Sequence, residues 1–311
     1  MHNRMSAKGR AKLVPSKRMA VAMATVAVCI MGVATVAGAA TLGGARPASA
    51  HASSPGSVTP YSNTLSKKTK GWCTYAEGCN GQVGAGDYGT IDVVPSSFSN
   101  YGGYAAAVPG PVSGKSTQKA YARVSGAGTD QDGTTGCPTP GSENCTGPYL
   151  LYGGTGTDSV FPTKTGFNSS IKIYLDTAWA AANPGQVIDW DVSLNNSSGA
   201  FLQDFVFNLC TTSANGGGFY VSNSSNAGAC TGGPTEVTTS GWYQFEQQFA
   251  GNTGGNVVVT YVLANPSGAG VFSDIQQTAI QTADAGGPSY GWFPDEDVLG
   301  LPVAQISLTT K

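Results

Sequence analysis

"VIDWDVSL" (residues 187–194) alternates Ile188, Trp190, Val192 and Leu194 with Asp189, Asp191 and Ser193. A period of two is the period of a β-strand, whose successive side chains point to opposite faces. This strand puts its bulky apolar set on one face and two carboxylates on the other. The same rhythm recurs downstream. "SIKIYLD" (170–176) sets Ile171, Ile173 and Leu175 against Ser170, Lys172, Tyr174 and Asp176. "FLQDFVFNL" (201–209) places Phe201, Phe205, Phe207 and Leu209 in one set, broken at Gln203. "WYQFEQQF" (242–249) sets Tyr243, Phe245 and Phe249 against Trp242, Gln244, Glu246 and Gln248, and "NVVVTYVLA" (256–264) is more uniformly apolar. Clusters such as "NNSSG", "ANGGG", "GNTGGN" and "NPSGAG" bound these runs. Strand, turn, strand at short spacing predicts an all-β fold: an antiparallel β-sandwich of jelly-roll type, with long Gly/Ser/Thr-rich loops and local disulfides. Only "DTAWAAAN" (176–183) reads as a helical turn, started at Asp176 or Thr177 and stopped by Asn183-Pro184.

Residues 1–50 read as a secretory signal peptide. Arg4, Lys8, Arg10, Lys12, Lys17 and Arg18 precede an uncharged stretch from Met19 to Gly44, and Ala48-Ser49-Ala50 offers a small-x-small cleavage site. The expectation is secretion with cleavage after Ala50. An N-terminal membrane anchor is the lesser alternative, because about 20 apolar residues span a bilayer. Residues 51–80, rich in Ser, Pro and Thr, read as a flexible lead-in that contributes at most an edge strand. Residues 81–311 are expected to form a single β-sandwich domain, with "GTIDVV" (89–94), "AYARVS" (120–125) and "YLLYGG" (149–154) as its early strand candidates.

Cleavage takes seven of the 16 Lys and Arg but none of the 18 Asp and Glu, so the net charge moves from −2 to −9. An acidic surface disfavours nucleic acid and, once the signal is gone, anionic membrane. Six cysteines remain, an even number that suits disulfides in an exported chain. Of the 15 possible connectivities, neighbour pairing is expected: Cys73–Cys79, Cys137–Cys145 and Cys210–Cys230. Each short loop so closed stabilises the fold by ~2–3 kcal/mol in loop-entropy terms.

His51 is the one histidine left after cleavage and stands at the new N-terminus, so a Ser-His-Asp or Cys-His hydrolase has no well-placed base, and histidine-ligated metal chemistry is equally disfavoured. No phosphate-binding glycine loop is present. Carboxylate chemistry survives. Asp189 and Asp191 lie two residues apart on one strand face, with Cα atoms about 6.5–7 Å apart, a spacing a glycosidase can use. Glu246 is the other strand acid on a polar face. The simpler reading makes Asp189 and Asp191 the solvated side of a core strand. Calcium is the only cofactor left open: "TDQDG" (129–133), with Asp130 and Asp132, and "PDEDV" (294–298) space their aspartates as cation loops do. Acidic surface turns are the favoured alternative. "SNYGGY" (99–104) and "PSYGWFP" (288–294) place Tyr101, Tyr104 and Trp292 beside glycine and serine, where rings can stay exposed for a ligand.

The rhythm of "SIKIYLDTAW…IDWDVSLNNSSGAFLQDFVFNL" and the closing "YGWF…LPVAQISL" resembles the concanavalin A-like lectin/glucanase superfamily over residues 85–311. The resemblance implies an extracellular carbohydrate binder or glycoside hydrolase. Glucanases of that superfamily carry an alternating Glu-x-Asp-x-Glu on one strand, whereas this face reads Asp189, Asp191, Ser193. The departure argues against catalysis. The expectation is a secreted, non-catalytic binding or surface-associated protein, with polysaccharide or a cell-surface glycan as partner. A hydrolase using Asp189, Asp191 or Glu246 is the first alternative, and a purely structural extracellular protein the second. Oligomeric state is not legible.

Overall fold

The computed structural model describes residues 61–69, 71–73, 89–97, 104, 108–113, 116–126, 146–152, 166–198, 200–225, 235–286 and 290–310. All belong to the unit Ser53–Lys311. The expected signal and its cleavage site, Tyr101, Asp130, Asp132, Cys79, Cys137, Cys145 and Cys230 lie outside the described residues.

In chain order the strands are β1 (Tyr61–Asn63), β2 (Trp72–Cys73), β3 (Thr90–Pro95), β4 (Val112–Ser113), β5 (Ser116–Thr117), β6 (Ala120–Ser125), β7 (Tyr149–Leu151), β8 (Phe167–Leu175) and β9 (Val187–Asn195). They continue with β10 (Phe201–Thr212), β11 (Gly218–Ser224), β12 (Thr235–Val237), β13 (Gly241–Gly251), β14 (Asn256–Ala264), β15 (Gly270–Gln281), β16 (Tyr290–Trp292) and β17 (Leu301–Thr310). The larger sheet runs β15-β14-β13-β8-β17-β6-β3, with β1 added on β17. The smaller runs β12-β11-β10-β9-β16-β7-β2, and β4 and β5 form a separate hairpin. Every pairing is antiparallel. This is the β-sandwich the alternation predicts.

The alternating sets meet between the sheets. Phe205 and Phe207 on β10 pack edge-to-face on Phe249 and Phe245 of β13, both at 5.2 Å between ring centres. Phe167 of β8 stacks on Phe249 at 4.3 Å. Each such buried ring is worth about 1.5–3 kcal/mol relative to exposure. Gln247 departs from the expected pattern. It faces inward, fully buried, and its Nε2 donates to Phe205 O at 2.5 Å, so an amide bridges the two sheets. Trp190 is also fully enclosed, 4.9 Å from Phe293. Its indole lies so close to β16 that a Cβ on Gly291 would sit 2.5 Å from Trp190 Cη2.

The helical turn is α1 (Thr177–Ala182). Asp176 caps it, its Oδ1 accepting from Ala178 N at 3.0 Å and Trp179 N at 3.2 Å. The segment read as a lead-in enters the core. Tyr61 pairs with Leu308, Leu65 is fully buried, and Trp72 stacks on Phe293 at 6.4 Å. These apolar residues stand singly among Ser, Thr and Lys, so the average composition hides them. Strand β15 carries no clear alternation because it is an edge strand, exposed along most of its length.

Candidate functional site: a groove on the larger sheet

The outward residues of β8 and β13 meet in cross-strand rungs: Tyr174 opposite Trp242, Lys172 opposite Gln244, Ser170 opposite Glu246, and Asn168 opposite Gln248. All but Trp242 are partly exposed. This polar ladder is the reverse side of the same alternation that buries Ile171, Ile173 and Phe245. Over the first two rungs opens a groove of about 410 Å³. Lys172, Tyr174, Trp242 and Gln244 line it, with Pro109, Val112 and Thr117 to one side and Asn265 and Pro266 to the other.

The aromatic part of the lining is fixed in place. Trp242 Nε1 donates to Pro109 O at 2.6 Å. The Tyr121 and Tyr174 rings meet its indole edge-on at 5.5 and 5.6 Å. Gly241 permits the close approach of the opposite wall, since a Cβ there would lie 2.4 Å from Pro266 Cγ. Lys172 Nζ donates to Val112 O at 2.8 Å, and Gln305 Nε2 donates to the same oxygen at 2.9 Å. Gln305 reaches it from a bulge in β17, where it adopts φ 48°. Burial pushes the Lys172 ammonium below its ordinary pKa.

The acids singled out in the sequence lie elsewhere. Asp189 and Asp191 do project opposite Ile188, Trp190 and Val192, but both are 0 % exposed, not solvated as alternation suggests. Alternation assigns a residue to a face and is silent on what covers that face. The pair does not face a cleft. Asn208 Nδ2 donates to Asp189 Oδ1 at 2.9 Å, and Phe205 N donates to Asp191 Oδ1 at 2.8 Å. Ser193 Oγ bridges Asp191 Oδ2, at 2.8 Å, and Asp204 Oδ1. Ser193 thus brings the carboxyls of Asp191 and Asp204 together, close enough for each to perturb the other. Sealed from solvent and held by internal hydrogen bonds, Asp189 and Asp191 have no access to the substrate a glycosidase pair must flank.

Burial raises both carboxyls above the ordinary aspartate range, and the adjacent Asp204 charge raises Asp191 further. Burial likewise raises Glu296 well above its usual value. A raised folded pKa means that the folded state binds more protons than the unfolded state between about pH 4 and the raised values. Conformational stability therefore falls as pH rises through that window. The urea midpoint measured against pH is expected to show this decline, and Asp204→Asn is expected to flatten it; a midpoint that climbs across the window contradicts the raised carboxyls.

Tyr104, expected to be exposed, is 0 % exposed. Its hydroxyl accepts from Asp176 N at 2.5 Å, its ring lies 4.9 Å from Trp179, and its carbonyl accepts from buried Arg123 at 2.6 Å. The tyrosine locks the start of α1 to the sheet, a role invisible in the composition of its loop. Trp292 is partly exposed but sits on strand β16 beside Tyr149, 6.1 Å away, not on a loop. Glu246 is partly exposed one rung beyond the groove, accepting from Gln248 Nε2 at 3.0 Å. Within "PDEDV", Glu296 Oε1 accepts from Val298 N at 3.1 Å and Asp297 Oδ2 from Val187 N at 2.7 Å, so both carboxylates hold main chain. Among the described residues no three His, Cys, Asp or Glu are grouped to hold a metal ion. Cys210 is disulfide-bonded. The residues that do come together, Lys172, Tyr174, Trp242 and Gln244, belong to the polar sets of two alternating strands. What makes them a site is the wall around them, supplied by the β4–β5 hairpin and the turn after β14.

No protein family matches the chain, and no curated protein does. Twenty solved chains match its structure. An endo-β-1,4-glucuronan lyase from the fungus Trichoderma reesei is 10 % identical, with a TM-score of 0.39, over 82 % of this chain and 96 % of that one. The CBM2 module of the evolved Dit of Lactobacillus casei BL23 phage J-1 is 12 % identical, TM-score 0.36, over 81 % and 96 %. An alginate lyase in complex with an alginate tetrasaccharide is 9 % identical, TM-score 0.38, over 82 % and 98 %. At these identities and scores none of them bears on what this chain binds.

Proposed function

We propose that this chain is an exported, non-catalytic β-sandwich that binds polysaccharide in the groove of its larger sheet. The observation that carries the reading is the lining itself: the rings of Tyr174 and Trp242 beside the amide of Gln244 and the ammonium of Lys172. Aromatic faces match the apolar C–H faces of sugar rings, while amide and ammonium donors suit hydroxyls. A concave site with few, fixed polar groups is the usual form of a small-ligand site. The export signal read in residues 1–50 agrees with a glycan met outside the cell. The hydrolase alternative keeps only Glu246 as an accessible acid, since Asp189 and Asp191 are sealed.

Affinity electrophoresis through gels containing a panel of soluble polysaccharides tests the reading. The wild-type chain is expected to be retarded by at least one of them. Gln244→Ala is expected to weaken that binding by roughly tenfold at unchanged melting temperature, and Tyr174→Ala by a similar factor with a lowered melting temperature, since its ring also packs on Trp242. Absence of retardation across the panel sinks the proposal, and release of shortened or unsaturated sugars replaces binding with catalysis.

A further inference from the structure

Among the described residues the cation of the groove has no counterion. Lys172 is half-buried, and among the described residues its ammonium makes one hydrogen bond, to the Val112 carbonyl. An ammonium has three donors, so two remain for whatever enters the groove. Among the described residues no carboxylate forms an ion pair with it, and burial alone accounts for its lowered pKa. Its rung partner is Gln244; Glu246 stands one rung away and is bonded by Gln248. The other cation of this sheet, Arg123, is fully buried and spends its guanidinium on Tyr104 O, Gly300 O and the Tyr121 hydroxyl.

A partly desolvated charge without an opposite charge is costly, and a ligand that brings one recovers that cost. A groove built only for neutral sugars is served as well by an amide or hydroxyl at this position, without the cost. We propose that the groove selects carboxylated polysaccharide: Lys172 holds the carboxylate of a hexuronate residue while Tyr174 takes a face of its ring and Gln244 its hydroxyls. One lysine matches one carboxylate per sugar. Multiply sulfated chains suit it less, because the acidic excess of the protein repels dense negative charge. The inference rests on the polysaccharide reading above.

The test compares a soluble polyuronate with the same polymer after reduction of its carboxyls to primary alcohols, so that only the charge differs. Titration calorimetry is run on the full chain, on Lys172→Gln and on Lys172→Arg. The wild type is expected to bind the polyuronate at least about tenfold more tightly than its reduced form, the effect of one charge-assisted contact. Lys172→Gln is expected to lower polyuronate affinity to that of the reduced polymer, and Lys172→Arg to retain most of the difference. Equal binding of both polymers by the wild type overturns carboxylate selection and leaves polysaccharide binding standing. A preference that survives in Lys172→Gln overturns the role of Lys172. Binding of neither polymer, or of any glycan in the wider panel, overturns both proposals.

Discussion

Trp190→Ala is expected to destabilise the fold by about 3–5 kcal/mol, the cost of emptying a large, fully enclosed aromatic site. The residue is 0 % exposed and packs on Phe293 at 4.9 Å, in the centre of the smaller sheet between β10 and β16. Among the described residues its buried indole N–H has no hydrogen-bond partner. Truncation therefore removes no hydrogen bond, and the loss is one of packing and transfer from water. Trp190→Phe separates the two contributions. It leaves most of the ring volume and deletes an unsatisfied N–H, whose burial costs about 1–3 kcal/mol. The phenylalanine variant is expected to lose much less stability than the ring area alone implies. Guanidinium titration followed by far-UV circular dichroism measures both. A loss below about 1 kcal/mol in Trp190→Ala would show that the site collapses and that the indole does not set the sheet spacing.

Gly291→Ala carries the second large effect, about 1–3 kcal/mol from overpacking. The new methyl group would stand 2.5 Å from Trp190 Cη2 and 2.9 Å from the Tyr152 hydroxyl. Both rings are buried, so neither has open space to retreat into. The hydroxyl is also bonded to Ser169 Oγ at 2.7 Å, which fixes its position. The substitution is expected to be cheaper in a Trp190→Phe background, where the outer atoms of the indole are gone. A coupling of ~0.5–3 kcal/mol in the double-mutant cycle is the expected signature. Additive losses would mean that the strain is relieved by the backbone of β16 and not by Trp190.

Trp190 also shows how far local pattern reaches. Its neighbours in "VIDWDVSL" fix strand, face and interior from a period of two, and the structure agrees at Ile188, Trp190, Val192 and Leu194. The same pattern misplaces Asp189 and Asp191, because alternation is a property of one strand and solvation is a property of everything packed over it. Tyr104 fails for a related reason: a glycine-flanked tyrosine reads as loop surface until α1 and Arg123 are seen to close on it. The groove was half legible. Lys172, Tyr174, Trp242, Gln244 and Glu246 are recognisable as outward residues, but their pairing across β8 and β13 depends on register. The walls come from Pro109, Val112 and Thr117 on one side and Asn265 and Pro266 on the other, none of which lies on β8 or β13. No motif links such segments; only the fold brings them together.

The carbonyl of Val112 accepts from two strands at once, from Lys172 on β8 and from Gln305 on β17. A carbonyl oxygen has two lone pairs, and both are engaged here. The hairpin side of the groove is thus anchored from beneath by the sheet before any ligand arrives. Much of the affinity of flexible sites is lost to the entropy of ordering loops and side chains, ~0.5–1.5 kcal/mol for each rotamer-rich group immobilised. Here the lysine and its wall hold each other in a preorganised arrangement, and that portion of the binding free energy is retained for a ligand. Gln305→Ala cuts one of the two tethers, so its effect falls on how fast and how tightly a ligand is held, with every groove-lining side chain still present.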